Sequence, residues 1–350
     1  MKKISRKQAI QQGLMLASAT LLGSRISAAP KGQRNDWMAG KWGLMTHWIA
    51  PGPGAERGKR ITDLNQAVDQ FDVPGFIRQF GQTGADYLIF TVGQNTTYYA
   101  APNAVLDKYC GPGHGSRRDL VLELAKGLKA INKRLIAYLP AEIEANPALH
   151  AGFKWNPKDQ GEFEKRYTEF IRAYAVQWGT YVDGWWYDGC YTYGDYYVPR
   201  NWQLWCDVSR AGNRQAVVAF NDGSFYSGIT TPMTPLQDYL SGECAGIKNG
   251  KIALTDKTDP DKTIMPAGRF VPGTRCQFHA LMPIDNHGDW INEKDGPMTA
   301  PKYSDAELFP FVQDCRKAGG ALTLNVGIYQ EGNISQETLL QLHRLSGALK

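Results

Sequence analysis

A carboxylate that ends a short apolar run and precedes a glycine is the most chemically suggestive feature of this chain. Tyr181-Val182-Asp183-Gly184-Trp185-Trp186-Tyr187 leads into Asp188, and Gly189 lets the backbone turn away. At the end of a strand in a parallel barrel, such a side chain faces the mouth where the βα loops gather. Aromatic walls around it suit stabilisation of an oxocarbenium-like transition state. Glycoside hydrolysis needs a second carboxyl, and Asp238-Tyr239-Leu240-Ser241-Gly242-Glu243 supplies one at the end of another candidate strand. Asp188 is therefore read as the nucleophile and Glu243 as the acid/base, a pair that a retaining enzyme holds roughly 5 to 5.5 Å apart. Rival acids are Glu142, Asp222, Asp285 and Asp289, each of which follows another candidate strand. The structural alternatives are a helix-capping or ion-paired Asp188 and a solvated loop Glu243.

Around these two, the expected substrate-binding residues are His47 and Trp48 after the first strand, Gln94, Asn95 and Tyr98 after the second, Trp186, Asn221, Asp222 and His279. His47 could donate a hydrogen bond to a sugar hydroxyl, although a lone histidine is as readily a satisfied core residue. Gln94, Asn95 and Tyr98 are neutral partners for hydroxyls, and turn chemistry alone would also explain Asn95. The chain has ten tryptophans and seventeen tyrosines, clustered at Tyr98-Tyr99, Trp185 to Tyr187 and Tyr191 to Tyr197. Flat rings with a polar edge match sugar faces, though most must build the core.

The elements that would position these residues alternate between β-branched or aromatic runs and stretches of helical period, the pattern of a parallel sheet with crossover helices. Eight strands are expected: Trp42 to His47, Asp86 to Val92, Arg134 to Leu139, Gly184 to Tyr187, Ala216 to Phe220, Asp238 to Ser241, Arg275 to Leu281 and Ala321 to Val326. Helices are expected over Phe71 to Gln82, Arg118 to Ile131, Gln160 to Trp178, Trp202 to Arg210, Ser304 to Ala318 and Ser335 to Ala348. In the second of these, Leu120, Leu124, Leu128 and Ile131 share one face. Asp159 and Ser304 are candidate N-caps, and Gly319-Gly320 ends a helix. Gly246 to Gly273 shows no periodicity and is read as a long surface loop. The expected fold is an α/β, TIM-like (β/α)8 barrel in a single domain over residues 30–350, with no C-terminal β-sandwich.

Residues 1–29 resemble an export signal, with basic Lys2, Lys3, Arg6 and Lys7, a mildly apolar run from Gly13 to Gly23, and Ser27-Ala28-Ala29 before Pro30. Ser5-Arg6-Lys7-Gln8-Ala9-Ile10 is similar to a twin-arginine signal with Lys7 in place of the second arginine, and an ordinary secretory signal reads equally well. The protein is thus expected in the periplasm or secreted. The formal net charge of +5 comes from Lys2, Lys3, Arg6, Lys7 and Arg25, and the rest of the chain balances 34 acidic residues with as many basic ones. That balance offers no electrostatic footprint for nucleic acid, and no run approaches the roughly 20 apolar residues of a membrane span. Cys110, Cys190, Cys206, Cys244, Cys276 and Cys315 include no Cys-x-x-Cys pair, and the six histidines lack metal-ligand spacing. No metal or organic cofactor is expected; the partner is an oligosaccharide or glycoconjugate, and the oligomeric state is open.

Five blocks resemble the α-L-fucosidases of glycoside hydrolase family 29. Lys41-Trp42-Gly43-Leu44-Met45-Thr46-His47-Trp48 is similar to the family's Lys-Phe-Gly-x-x-x-His-Trp strand, and Arg118-Asp119-Leu120-Val121 to its Arg-Asp-Leu-Val helix start. Trp186-Tyr187-Asp188-Gly189 resembles the nucleophile block, and Asn221-Asp222 with Asp238 to Glu243 the stretch that in some members ends in the acid/base. Gly319 to Gly327 resembles the eighth strand. The resemblance implies retention of configuration through a covalent glycosyl-enzyme. It departs where the family carries Lys-His-His-Asp-Gly-Phe, here Gly93-Gln94-Asn95-Thr96-Thr97-Tyr98, and where Gly223 replaces the arginine of Asn-Asp-Arg. Those changes leave the sugar open, and a non-catalytic carbohydrate-binding barrel is the competing reading.

Overall fold

The structure is a computed structural model that describes residues 32–48, 52–94, 96–191, 199–223, 227–254, 259 and 261–350. The expected signal segment, Asn95 and part of the Tyr191 to Tyr197 cluster lie outside the described residues. The chain divides into Met1–Gln33 and Arg34–Lys350, and the second unit carries the fold.

Seven parallel strands form one curled sheet. They are β1 (Trp42–Thr46), β2 (Tyr87–Thr91), β3 (Arg134–Pro140), β4 (Gly184–Asp188), β5 (Val217–Phe220), β9 (His279–Pro283) and β10 (Ala321–Asn325), in the order β5-β4-β3-β2-β1-β10-β9. The expected strand over Asp238 to Ser241 is not a regular strand. The stretch instead makes isolated rungs, with Tyr239 paired to Gln277 and Glu243 to Leu281, all parallel to the sheet. On its other side Asp238 replaces a ladder with side-chain bonds: its amide donates to the Val218 carbonyl at 2.9 Å, and its Oδ2 accepts from the Val218 amide at 2.9 Å and from Arg210 Nη2 at 2.6 Å. The gap between β5 and β9 is thus spanned by an irregular stave, and the sheet is not closed by an eighth strand.

Strand alternation divides the core into two layers. Met45, Tyr87, Ile89, Ile136, Tyr138, Trp186, Val217, Ala219, Tyr239, Leu281 and Ala321 pack together inside the curl. Their neighbours in sequence, such as Leu44, Leu88, Ala137, Trp185, Tyr187, Val218 and Leu322, point outward into a larger cluster with the helices. Trp178 and Trp185 stack at 5.7 Å, and Trp205 meets Tyr187 edge-on at 5.3 Å.

The helices follow their end signals. Asp119 caps Leu120–Ala130 by accepting from the Leu122 amide at 2.9 Å, and Ser304 with Glu307 forms a capping box on Asp305–Lys317. Gln160, not Asp159, is the N-cap of Gly161–Trp178. The expected helix Phe71 to Gln82 appears as Val73–Thr83, started by the Asp72 cap with Pro74 in its first turn, and a further helix that was not expected, Leu64–Gln70, precedes it. The strand expected over Arg275 to Leu281 begins four residues later, at His279. Gly246 to Gly273 is not simply a loop: β6 (Gly246–Lys248), β7 (Lys251–Ala253) and β8 (Thr263–Ile264) form a small antiparallel sheet, with strands too short to show a period. All six cysteines are unpaired thiols, and all but Cys110 are buried.

Gly43 is required by packing. A Cβ there would lie 2.4 Å from the Tyr87 ring and 2.6 Å from the Tyr87 carbonyl oxygen, both held between adjacent strands. Gly43→Ala should destabilise the protein by about 1–3 kcal/mol through overpacking, read as a lower urea midpoint with an unchanged slope.

Candidate active site

The same alternation that fills the interior places the site. Two residues beyond Met45, Trp186 and Ala219 come His47, Asp188 and Asn221, and four beyond Tyr239 and Ala321 come Glu243 and Asn325. These positions continue the inward face past the last apolar layer, so polar side chains gather at the C-terminal rim. The resulting hollow is lined by Met45, His47, Gln94, Trp186, Asp188, Glu243, Leu281 and Trp290.

Asn221 is the centre of the arrangement. Its Nδ2 donates to Asp188 Oδ1 at 2.9 Å and to Glu243 Oε2 at 2.6 Å. The two bonded oxygens are therefore no farther apart than the combined length of those bonds, short of the roughly 6.5 to 9.5 Å of inverting glycosidases and compatible with a retaining pair. Tyr138 donates its hydroxyl to Asp188 Oδ2 at 2.6 Å, so both oxygens of Asp188 are held. Trp186 Nε1 donates to the Ser241 carbonyl at 3.0 Å and ties β4 to the stave that carries Glu243. That stave turns at Gly242, whose φ is +83° and whose Cβ would lie 2.7 Å from His279 Nδ1. Only glycine meets both conditions.

The electrostatics separate the two acids. Burial, and then the Asp188 charge, push the Glu243 carboxyl up to about 7, against the opposing hydrogen bond from Asn221. Glu243 is therefore substantially protonated near neutral pH. Burial also raises the Tyr138 phenol well above its ordinary range, which keeps it a donor.

His47 is buried, and that burial lowers its basicity. Asn325 Nδ2 donates to the Trp290 carbonyl at 3.1 Å, which leaves Oδ1 to accept from His47 Nδ1 at 2.9 Å. A neutral imidazole with its proton on Nδ1 presents Nε2 as an acceptor, the reverse of the donor role read from sequence. The ring lies edge-on to Tyr138 at 5.3 Å and tilted against Trp290 at 5.7 Å, while Tyr138 stacks on Trp186 at 5.1 Å. Gln94 lines the hollow, and its buried Oε1 has no hydrogen-bond partner among the described residues, an acceptor free for a ligand hydroxyl.

The expected site residues therefore do not all converge. His47, Gln94, Trp186, Asp188 and Glu243 line the hollow, with Asn221 bonded between the two acids. Asp222 is buried beside Asn221 and its charge adds to the upward push on Glu243. Tyr98 is half-buried and packs against the helix-side core. Trp48 has the outward parity of its strand: it is fully buried against Phe71 and donates to the Gln330 carbonyl at 3.0 Å, away from the hollow. His279 begins β9 rather than ending it, so it sits below Leu281, where Nε2 meets Thr323 Oγ1 at 2.7 Å and Nδ1 meets the Leu240 carbonyl at 2.9 Å. Of the rival acids, Asp285 is fully buried and accepts from the Gly327 amide and the Thr338 hydroxyl, a tie to the last helix. Asp289 lines a separate cavity, and Glu142 is buried with its Cγ against the Gly189 turn. Tyr138, Trp290 and Asn325 were not singled out in the sequence. Inward parity could have found Tyr138 and Asn325, whereas Trp290 sits in a loop with no periodic signal.

No family model and no curated protein matches the chain. Solved structures do. A variant of the endo-fucoidan hydrolase MfFcnA4 from glycoside hydrolase family 107 superposes with a TM-score of 0.67 at 16% identity, covering 89% of this chain and 53% of that one. The endo-fucoidan hydrolase P5AFcnA of the same family gives 0.65 at 14%, covering 90% and 92%. Alpha-L-fucosidase isoenzyme 1 from Paenibacillus thiaminolyticus gives 0.57 at 17%, covering 90% and 75%. The chain spans about half the length of the first of these proteins and nearly all of the second. At such identities the likeness shows a shared fold.

Removing the shared donor should move the titration of Glu243. Asn221→Ala deletes the one hydrogen bond that favours the Glu243 carboxylate, so its midpoint should rise from about 7. The check is a carbon-detected NMR titration of the Glu243 carboxyl in both proteins; an unchanged or lower midpoint refutes the coupling.

Proposed function

We propose that this protein is a retaining, exo-acting α-glycosidase that removes a terminal sugar from an oligosaccharide or glycoconjugate, with an α-L-fucoside as the leading substrate. The observation that carries the reading is the twin hydrogen bond of Asn221, which holds Asp188 and Glu243 close enough to act on one anomeric centre, as a double displacement requires. Asp188 attacks the anomeric carbon while Glu243 gives its proton to the departing glycosidic oxygen. An ester between the sugar and Asp188 results. Glu243, now a carboxylate, takes a proton from water as that water attacks the anomeric carbon, and Asp188 leaves as a carboxylate.

The surroundings support this division of labour. Glu243 is held as an acid near neutral pH, and Asp188 is oriented by two donors. His47 Nε2 and Gln94 Oε1 are acceptors for sugar hydroxyls, and Trp186 and Trp290 offer ring surface. The names of the similar structures, endo-fucoidan hydrolases and an α-L-fucosidase, favour a fucose-type sugar. The altered run Gly93 to Tyr98 and Gly223 make related α-glycosides part of the same screen.

A panel of 4-nitrophenyl α-glycosides should reveal turnover with retained configuration by proton NMR. Asp188→Ala should abolish it, with azide restoring a glycosyl azide of inverted configuration. Glu243→Gln should slow a poorly activated substrate by about 10²- to 10⁴-fold. Because the acid form is the active one, the wild-type rate should fall as pH rises through about 7, and this limb should vanish in Glu243→Gln. Failure to cleave any member of the panel, with Asp188→Ala binding sugars as wild type does, points instead to a carbohydrate-binding protein without hydrolytic activity.

The segment before Pro30 leads us to propose an exported protein, periplasmic or secreted. N-terminal sequencing of protein recovered outside the cytoplasm should begin at Pro30; recovery of an intact Met1 form from the cytoplasm alone counts against export.

A further inference from the structure

The loop between β9 and the helix Asp305–Lys317 builds a second concave site beside the hollow. Asn286, His287, Asp289, Trp290, Glu293 and Lys294 line it, and Trp290 also lines the hollow that holds Asp188 and Glu243. A ligand that fills the hollow and extends past Trp290 therefore meets the second site.

The main chain of this loop is fixed, whereas its polar side chains are not engaged. The Trp290 carbonyl accepts from Asn325 Nδ2 at 3.1 Å, the Asn292 carbonyl from the Gly54 amide at 2.8 Å, and the Glu293 carbonyl from the Arg60 guanidinium. Asn286 and His287 turn the chain with φ of +48° and +60°, uncommon for residues that carry a Cβ, and Asn286 Nδ2 donates to the Ile291 carbonyl at 2.8 Å. The side chains of His287, Asp289, Glu293 and Lys294 are exposed, and none of them makes a hydrogen bond or ion pair among the described residues. Scattered over a surface, such groups would be ordinary solvated charges. Here they surround a concavity whose inner edge is an indole, on a backbone tied to the rim of the site.

That combination suits a sugar ring. The indole offers an apolar surface to its C–H face, the carboxyls of Asp289 and Glu293 accept from hydroxyls, and Lys294 donates to them. We propose that this second site binds the sugar unit on the leaving-group side of the scissile bond, stacked on Trp290 and hydrogen-bonded to Asp289, Glu293 and Lys294. The inference rests on the glycosidase reading and deepens it: the natural leaving group is a saccharide rather than an aryl, alkyl or peptide group.

The test pairs the 4-nitrophenyl α-glycoside that the enzyme cleaves best with disaccharides carrying the same terminal sugar on galactose, glucose or N-acetylglucosamine. In the double variant Asp289→Ala/Glu293→Ala, changed only at exposed positions, the ratio of kcat/KM for the best disaccharide to that for the aryl glycoside should fall about tenfold. An unchanged ratio overturns the proposal while the glycosidase reading stands. So does cleavage of the aryl glycoside with no disaccharide cleaved. If nothing is cleaved, the glycosidase reading fails and binding decides separately. Amide NMR signals of His287, Asp289 and Glu293 that move with an α-L-fucosylgalactose disaccharide but not with free L-fucose support the second site. Signals that stay still with both sugars, or move equally with both, refute it.

Discussion

Two carboxyl groups brought this close repel one another, and burial removes the water that would screen them. The protein answers with a single amide: Asn221 donates to Asp188 and Glu243 at once, and one of the acids keeps its proton. The rest of the site follows from that constraint. Tyr138 takes the second oxygen of Asp188, which leaves Glu243 as the partner on which repulsion and burial act. The asymmetry between two chemically similar acids arises from their neighbours.

Holding that geometry demands rigidity from three staves at once. Asp188 is the last residue of β4, Asn221 follows β5, and Glu243 sits on the irregular stave beyond it. The stave lacks a continuous ladder, so discrete bonds fix its height: Asp238 on the β5 side, the Leu281 rung on the β9 side, and Trp186 Nε1 on the Ser241 carbonyl. Gly242 completes the placement, since its positive φ turns Glu243 toward the hollow while its lack of a Cβ clears His279. His279 thus serves the site from underneath, as packing. Function and fold meet at this seam, because a regular strand there would not need the turn that aims the acid.

Much of this was legible beforehand, and the reasons are physical. Parallel strands that are buried on both faces read as short apolar runs, and six of the eight expected ones appear in the sheet within a residue or two at most ends. Asp188 stood out because a strand-end acid among tryptophans has few structural uses. Trp48 and His279, both expected at the site, lie elsewhere in the structure. For Trp48 the deciding factor is parity, and for His279 it is a four-residue displacement of the strand start. The small sheet β6 to β8 is not legible in the sequence, because strands of two or three residues carry no measurable alternation.

The sequence alone determined most of the strand and helix alternation, the strand-end position of Asp188, and the outward or inward parity of each residue once a strand start is known, since these depend on local period. It could not determine that Asn221 bonds both acids, that Tyr138 reaches across from β3, or that Asn325 sets the proton on His47. Those contacts join residues separated by 22 to 278 positions along the chain. Only the register between strands, a property of the tertiary packing rather than of any segment, brings them within the length of a hydrogen bond.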